Sequence, residues 1–250
     1  MSESYSLITG ASSGIGKATA KKLAGKGRNL ILLARRKKLL EELRNEILTE
    51  HKIDVLIYQI DVRNLDNLNS FFSEIQDFNI DILVNNAGLA LGKSSIEEYD
   101  WQDFETMIDT NVKAFTRIAQ LAIPFIKKTQ GHIVNISSIS GIEAYEGGSV
   151  YCATKAYVKM LSKSMRLDLA GTGVRVTDIA PGAVDTEFSL VRFKGSIEAS
   201  QSVYKGFVPL YAEDIADAII FALDRPSSVN IEYMLIMPTS QASATRIYRN

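Results

Sequence analysis

Residues 5–16 of this chain read YSLITGASSGIG, and this stretch decides the fold. Residues 5–9 form a short apolar run typical of a buried strand, and a helical pattern follows over residues 14–26. Glycines in such a turn let a phosphate approach the backbone, and the helix N-terminus offers it free N–H groups. The spacing is Gly-x-x-x-Gly-x-Gly rather than Gly-x-Gly-x-x-Gly, so a tight turn without a ligand is the alternative interpretation.

Strand-like and helix-like segments alternate along the rest of the chain. The predicted strands cover residues 5–9, 30–34, 53–60, 80–84, 132–137, 174–179 and 233–237. The predicted helices cover residues 14–26, 37–50, 65–77, 99–128 (interrupted or kinked near Pro124), 149–170 and 212–223. This pattern predicts an α/β fold of Rossmann type, doubly wound, with a mainly parallel seven-stranded sheet and helices on both faces. We expect a single domain over residues 1–250, with a substrate loop or lid at about 186–210, where no periodicity is clear.

Composition and charge exclude several classes of partner. Apolar residues make up 46% of the chain, charged residues 23%, and the net charge is −1. No basic field argues for nucleic acid, and no apolar run approaches the ~18 residues of a membrane span. The single Cys152 and the absence of a signal-like N-terminus predict a cytoplasmic protein. Cys152 is better explained as a small packed side chain than as a nucleophile.

The end of the second predicted strand indicates which dinucleotide is bound. An NAD site usually places an acidic residue about 20 residues after the glycines. Here Arg35 and Arg36 occupy that region, and Arg35 lies 19 residues past Gly16. A guanidinium pairs well with a 2′-phosphate, so the sequence favours NADP(H). The alternative, a solvated basic helix start, suits Lys37 and Lys38 better.

A candidate proton carrier lies at the start of a later predicted helix. Tyr151 and Lys155 are four residues apart and therefore share one helix face, and Ser138 precedes Tyr151 by thirteen residues, at a strand end. A phenol beside an ammonium and a hydroxyl can move a proton to or from a carbonyl oxygen. We expect Lys155 to lower the pKa of the Tyr151 phenol. A Tyr-x-x-x-Lys pair alone is far more often ordinary helix surface.

Taken together, these motifs resemble the short-chain dehydrogenase/reductase family over nearly the whole chain. The resemblance implies a catalytic tetrad: Asn111, Ser138, Tyr151 and Lys155. It implies that NADP(H) is bound by Gly10, Ser12, Ser13, Gly14, Ile15, Gly16, Arg35, Arg36, Asp61, Val62, Asn86, Ala87, Gly88, Tyr151, Lys155, Pro181, Gly182, Val184 and Thr186. In this family Tyr151 would be the acid or base, Ser138 would hold the substrate oxygen, and Asn111 would anchor a water near Lys155.

Longer stretches, among them residues 81–92 and 186–195, are similar to the NADP-dependent 3-hydroxy acid dehydrogenases of this family. That similarity implies small 3-hydroxy acids such as L-serine or 3-hydroxypropionate as substrates. It also implies a homotetramer that pairs the long helices over residues 103–128 and 149–170 across subunits. Arg192 is a candidate for the substrate carboxylate, with a surface or subunit contact as the equal alternative and Lys194 as the next candidate.

Two other functions stay open at this stage. One is a broad-specificity NADPH carbonyl reductase for ketones and aldehydes, and the other is a non-catalytic cofactor-sensing protein. His51 and His132 are expected to be surface and strand-edge residues rather than catalysts, since the proton chemistry already has its carriers. No cluster has metal-ligand spacing, so we expect no metal.

Overall fold

The computed structural model describes residues 4–250. The strands in this range are β1 (Ser4–Thr9), β2 (Asn29–Ala34), β3 (Val55–Gln59), β4 (Asn79–Asn85), β5 (His132–Ile136), β6 (Arg175–Pro181), β7 (Val184–Asp185), β8 (Leu210–Tyr211) and β9 (Tyr233–Ile236). The α-helices are α1 (Gly14–Gly25), α2 (Lys37–Glu50), α3 (Leu65–Glu74), α4 (Trp101–Ile108), α5 (Phe115–Thr129), α6 (Ser149–Asp168), α7 (Glu187–Arg192), α8 (Ile197–Ser202) and α9 (Ala212–Leu223). A π-helical turn, Asp109–Ala114, joins α4 to α5.

Seven strands form one sheet in the order β3-β2-β1-β4-β5-β6-β9, and β7 pairs with β8 separately. Every pairing in the large sheet is parallel. The chain builds outward from β1 to β3 and then returns to β4 on the other side of β1. Strand order therefore reverses between β1 and β4, and ligands of open α/β sheets bind at the carboxyl ends of strands beside such a reversal.

The hydrophobic core has two layers because successive side chains of a strand point to opposite faces of the sheet. Leu7 and Ile133 pack on the face covered by α3, α5 and α6. Ile8 and Val134, each one residue further on, pack on the face covered by α1, α2 and α9. All four side chains are fully buried. The predicted doubly wound α/β fold is confirmed.

The predicted interruption of the long helix lies at a different place. Pro124 stands inside α5, which continues regularly to Thr129, and the irregular segment is the π turn at Asp109–Ala114. Pro124 is on the exposed side of α5. The carbonyl that loses its N–H partner there can be hydrated, so the proline is tolerated without a break.

The segment after β7 contains more regular structure than its sequence indicates. It holds α7 and α8, and a side chain caps the start of each: Thr186 Oγ1 accepts from Phe188 N (3.3 Å) and Ser196 Oγ from Ala199 N (3.3 Å). Each helix has six residues. Fewer than two turns are too short for a hydrophobic period to be visible.

His132 is not a strand-edge residue. It begins β5, which lies between β4 and β6, and its side chain is buried with Nε2 2.7 Å from Thr177 Oγ1. Burial lowers the pKa of His132 to about 3, so the imidazole is neutral at physiological pH. His51 is half-buried at the end of α2. Within residues 4–250, no helix combines the length and apolar character needed to cross a membrane.

Candidate active site

A cleft of about 460 Å³ opens at the carboxyl ends of the central strands. The sequence-predicted residues that line it are Gly10, Ser12, Ser13, Gly14, Ile15, Arg35, Arg36, Asp61, Val62, Asn86, Ala87, Gly88, Ser138, Tyr151, Lys155, Pro181, Gly182, Val184 and Thr186. Gly16, Asn111 and Arg192 are not part of the lining. The cleft therefore brings residues from most of the chain to one place, as the motifs predict.

The glycine turn between β1 and α1 packs closely against the residues that follow β4, and its backbone borders the cleft. Gly10 has a φ of +66°, and a Cβ atom on Gly16 would overlap the Gly10 carbonyl oxygen. Thr9 Oγ1 accepts from the backbone N–H groups of Asn86 and Ala87, each at 3.0 Å. Gly16 is thus a packing residue that lets α1 approach the sheet, and Gly10 supplies the left-handed turn.

Arg36 reaches across the mouth of the cleft. Its Nη2 atom lies 2.8 Å from Ser13 Oγ, 3.2 Å from Ser12 Oγ and 2.8 Å from Glu187 Oε2. The hydrogen bond from Arg36 holds the pKa of Glu187 below its usual range. Arg35 is exposed beside it at the end of β2. Two guanidinium groups and two hydroxyls therefore border one end of the cleft, and one of the guanidinium groups is tied to the segment after Thr186.

Tyr151 is buried near the first turn of α6. Its ring lies 5.5 Å from the ring of Phe188 and 6.0 Å from the guanidinium carbon of Arg192. Burial raises the pKa of the Tyr151 phenol, the neighbouring Tyr145 raises it further, and Ser138 and Arg192 act in the opposite direction. The expectation that Lys155 lowers this pKa is not met: burial is the main cause of the shift, and Lys155, 5.9 Å from the ring centre, is not among its main determinants.

Lys155 is only 5% exposed, and its Nζ donates to the Ile136 carbonyl at 2.9 Å. Burial lowers the pKa of the ammonium to about 8, while Asp178 raises it. A Cβ atom on Gly88 would lie 3.4 Å from Lys155 Nζ and 3.2 Å from Asn111 Oδ1, so both groups border the same glycine. The cleft thus contains a lysine that loses its proton more readily than a solvated lysine does.

Asn111 stands in the π turn and fixes the loop after β4. Its Oδ1 accepts from Leu89 N at 2.9 Å, and its Nδ2 donates to the Leu89 carbonyl at 2.7 Å and to Thr154 Oγ1 at 3.1 Å. Both amide protons of the side chain are therefore used within the protein. The water-anchoring role of Asn111 stays a prediction.

Ser138 follows the end of β5 with its hydroxyl at the cleft. Its Oγ accepts from Ser140 N at 3.1 Å and lies 3.4 Å from the Pro181 carbonyl. These contacts fix the side chain between β5 and β6 at the same level as the Tyr151 phenol, whose pKa it lowers. Ser137 also lines the cleft, but its Oγ is directed to the Ile179 carbonyl at 3.5 Å.

Arg192 is the last residue of α7, and its guanidinium carbon lies 6.0 Å from the centre of the Tyr151 ring. Its Nε donates to the Gly92 carbonyl at 3.1 Å and its Nη1 to Tyr145 Oη at 2.7 Å. Its Nη2 is buried and has no hydrogen-bond partner among residues 4–250. An unsatisfied buried N–H of a guanidinium is costly, because it has lost water without gaining an acceptor. The position is therefore suited to an anion that enters with the substrate.

Lys194 does not compete for that position. Its Nζ lies 2.8 Å from Asp103 Oδ2 and 3.4 Å from Asp100 Oδ2, at the start of α4. The lysine is exposed and ties the segment after α7 to α4. As a candidate for the substrate anion, Lys194 already has two carboxylate partners.

Several lining residues were not predicted from the sequence. These are Ala34, Ile60, Arg63, Leu89, Thr110, Ile136, Ser137, Glu187, Phe188 and Val191. Most of them directly follow or precede a predicted residue in the sequence. Their position next to a predicted residue is the feature of the sequence that could have identified them as lining residues. Arg63, for example, lies two residues after Asp61 and forms an ion pair with it at 2.6 Å, which holds the pKa of Asp61 low.

Comparison with known proteins agrees with this geometry. The model of the family described as short chain dehydrogenase matches residues 5–195. This chain belongs to that family. The predicted family is confirmed.

Individual relatives extend the likeness to the whole chain. An NADP-dependent 3-hydroxy acid dehydrogenase of Schizosaccharomyces pombe is 41% identical over 247 residues, covering 97% of this chain and 95% of that protein. Sulfoacetaldehyde reductase 2 of Chromohalobacter salexigens is also 41% identical, covering 94% of each. The closed form of a serine dehydrogenase complexed with NADP⁺ superposes with a TM-score of 0.92 at 40% identity, over 98% of this chain and 100% of that one.

Proposed function

We propose that this enzyme transfers a hydride between NADP(H) and the 3-hydroxyl or 3-oxo group of a small anionic acid, such as L-serine or 3-hydroxypropionate. The observation that carries the proposal is the buried, unpaired Nη2 of Arg192 beside the Tyr151 ring. A neutral substrate would leave that N–H without an acceptor. A carboxylate separated from the reacting carbon by one further carbon would satisfy it.

The enzyme is an NADP-dependent dehydrogenase that acts on hydroxyl groups, as its relatives are. The cleft fits the cofactor: the glycine turn leaves its backbone open, and Arg35 and Arg36 meet the need of a 2′-phosphate for cations. Asp61 and Val62 would hold the adenosine part, Asn86 to Gly88 the middle, and Pro181 to Thr186 the far end. When bound, NADP(H) supplies or accepts the hydride.

The protein's own part in the chemistry is to move a proton at the substrate oxygen. In the reduction, Tyr151 donates its phenolic proton to that oxygen, and in the oxidation the phenolate accepts it. Ser138 donates a hydrogen bond to the same oxygen and steadies the charge that develops on it. Lys155 favours the phenolate through its positive charge. Because burial raises the pKa of Tyr151, the phenolate depends on the positive charges around it.

Arg192 would bind the substrate anion through Nη2. Its Nε and Nη1 are fixed by Gly92 and Tyr145, so Nη2 is held in place rather than free to rotate. Phe188 and Tyr145 enclose the space beside it with apolar rings, which strengthens a charge-assisted hydrogen bond. We propose residues 186–210 as the lid of this site, within a single domain of residues 1–250.

A sulfonate is the second candidate anion. In malonic semialdehyde and in sulfoacetaldehyde, one methylene separates the aldehyde carbon from the anionic group. The sulfoacetaldehyde reductase is as similar to this chain as the 3-hydroxy acid dehydrogenase. The guanidinium of Arg192 pairs with either anion. A broad reductase for uncharged ketones and aldehydes fits the unpaired Nη2 less well, and a non-catalytic sensor would not need Ser138, Tyr151 and Lys155 together.

The test is the substrate profile of the parent and of Arg192→Ala. We expect the parent to oxidise L-serine and 3-hydroxypropionate faster than an uncharged secondary alcohol. In the variant, KM for the acids should rise roughly 10- to 100-fold, the value of one or two charge-assisted hydrogen bonds. Activity on the secondary alcohol should change less than about threefold, because that substrate has no anion to lose.

Arg44→Ala is the matched control, since Arg44 is exposed on α2 and far from the cleft in the fold. Steady-state kinetics measure kcat/KM for the oxidation of the acids with NADP⁺. The same assays in the reverse direction, with malonic semialdehyde and sulfoacetaldehyde, show whether a carboxylate or a sulfonate is preferred. An unchanged KM for the acids in Arg192→Ala contradicts the proposed role of Arg192. A parent that prefers the uncharged alcohol contradicts the proposed substrate class.

We further propose that the enzyme is a cytoplasmic homotetramer that associates through α5 and α6. The outer side of α6 exposes Tyr157, Met160 and Leu167, with 62% of Met160 and 72% of Leu167 accessible. Tyr157 Oη also contacts Thr116 Oγ1 of α5 at 2.8 Å, so the two helices form one surface. Such apolar side chains in a row along a helix are typical of a two-fold interface.

Replacement of both Met160 and Leu167 by Glu should convert the tetramer to smaller species. Two charges buried in each copy of a symmetric interface are not paired, so association becomes unfavourable by several kcal/mol. Sedimentation velocity measures the outcome. Leu48→Glu on α2, where Leu48 is 41% exposed, is the control and should leave the mass unchanged. An unchanged tetramer in the double variant would exclude this face as the interface.

A further inference from the structure

A row of polar side chains crosses three strands beneath α6. Asn135 of β5 is in register with Asp178 of β6, and Asp178 is in register with Tyr233 of β9. Register partners in parallel strands project from the same face of the sheet. This face is the one toward α6, because Asn135 Nδ2 donates to Ser162 Oγ at 2.9 Å.

Each member of the row has a buried polar atom that no other residue satisfies. Asn135 Oδ1 and Tyr233 Oη have no hydrogen-bond partner within the described part of the chain. The carboxylate of Asp178 has no well-formed hydrogen bond there either, and Ser137 is the one residue close enough to stabilise it by a weak one. Asp178 is only 2% exposed. A buried carboxylate with only weak hydrogen bonds is costly unless cations also face it. The row therefore requires a compensating charge.

Two lysines of α6 supply that charge. Lys155 Nζ binds the carbonyl of Ile136, the residue that follows Asn135, so the ammonium lies one strand position beyond the row. Lys159 Nζ lies 4.5 Å from the centre of the Tyr233 ring, at the other end of the row. Burial raises the pKa of the Asp178 carboxyl, and Ser137, Lys155 and Lys159 lower it. Asp178 thus lies between two cations.

Asp178 matters to Lys155 in particular. Lys155 forms no ion pair within 4 Å among residues 4–250, whereas its burial is nearly complete. The carboxylate of Asp178 acts against that burial and keeps the pKa of the ammonium as high as about 8. The other titratable groups that face Asp178 are Lys159 of α6 and Tyr233 of β9.

We propose that Asp178 is a positioning residue that acts through Lys155: its buried carboxylate, in the row Asn135–Asp178–Tyr233, stabilises the charge of the Lys155 ammonium, which the Ile136 carbonyl orients. This inference rests on the role given to Lys155 under the proposed function. It adds a group that touches neither substrate nor cofactor. Asp178 stabilises the charge on which the Tyr151 phenolate depends.

The direction of the pH effect follows from the charges. Without the carboxylate, the pKa of Lys155 falls below its present value of about 8. Near pH 6 the ammonium is charged with or without Asp178, and the two proteins should behave alike. Above pH 8 the lysine loses its proton in both proteins, but the charged fraction that remains is smaller in the altered protein. The difference between the two proteins should therefore increase with pH.

The experiment compares the parent with Asp178→Asn, which keeps the shape and removes the charge. We expect kcat/KM for alcohol oxidation to fall less than about threefold at pH 6.5 and about tenfold at pH 9, which corresponds to roughly one pKa unit. The dissociation constant of NADPH, followed by fluorescence from pH 6 to 10, should show the same divergence, since Lys155 lines the cofactor cleft. Asp168→Asn, at the exposed end of α6, is the control and should match the parent.

A loss of kcat/KM that is equal at every pH would mean that Asp178 has only a structural role, and it would overturn the proposal. Kinetics and NADPH binding identical to those of the parent at every pH would also overturn it. If Asp178→Asn does not fold, Lys159→Met provides the second test. Removal of that competing cation should move the alkaline limb of both profiles to higher pH, and a shift to lower pH overturns the proposal. If the parent oxidises no alcohol, the proposed function fails, while the NADPH titration still decides the role of Asp178.

Discussion

Tyr151→Phe is expected to lower kcat in both reaction directions by about 10³-fold and to leave NADPH binding within about threefold of the parent. The substitution removes one oxygen atom and keeps the ring, which packs against Phe188 with 5.5 Å between ring centres. General acid–base catalysis by one side chain contributes about 10²- to 10⁴-fold. No neighbour can replace the phenol, because Ser138 is a much weaker acid and Tyr145 Oη is occupied by Arg192.

Stopped-flow and steady-state assays of NADPH consumption give kcat, and fluorescence titration gives the affinity. Tyr58→Phe is the matched control: Tyr58 loses a hydrogen bond to Glu74 at 3.2 Å, but it does not line the cleft. The control should keep parental kcat. A Tyr151→Phe enzyme that turns over at the parental rate would contradict the role of the phenol and would favour a protein that only senses the cofactor.

Arg35→Asp combined with Arg36→Ala is expected to weaken NADPH by roughly 10²- to 10⁴-fold while NADH changes less than about tenfold. Each charge-assisted hydrogen bond to the 2′-phosphate contributes about 1.5–3 kcal/mol, and NADH has no phosphate there. The loss has a second source. Arg36 forms an ion pair with Glu187 at 2.8 Å, so its removal leaves a carboxylate uncompensated at the mouth of the cleft.

Lys37→Asp combined with Lys38→Ala is the matched control, since it makes the same change in net charge two residues further on. Both lysines are exposed and face Glu41 and Glu42 of α2 rather than the cleft. The control should change neither affinity more than about threefold. If the arginine double variant loses the same affinity for NADPH and for NADH, these side chains do not bind the 2′-phosphate.

Sequence reasoning reached the fold and most of the cleft because both depend on local signals. Strand ends, the glycine turn and the helix that begins at Ser149 are visible as short patterns, and a parallel sheet brings the carboxyl ends of its central strands together. The residues that line the cleft beside Asp61 and Thr186 lacked a signal of their own. Their place follows from the path of the backbone rather than from residue type.

Sequence reasoning was wrong where the outcome depended on tertiary environment. The pKa of Tyr151 is set mainly by burial, which one sequence does not reveal, and Lys155 loses part of its own charge for the same reason. Nothing in the sequence marks the buried carboxylate of Asp178, because there it is one polar residue in a strand. Its importance requires the register that places it beside Asn135 and Tyr233.

The π turn at Asp109–Ala114 has a consequence for how the helix that contains it can vary. A π turn corresponds to one residue inserted into an α-helix. Deletion of a residue here would restore regular winding and rotate one flank by about 100° relative to the other. Either Met107 or Phe115, both fully buried, would then leave its core. The extra residue is therefore fixed by the packing on both of its sides. The rotation that it introduces into the helix also turns the side chain of Asn111 toward Leu89 and Thr154.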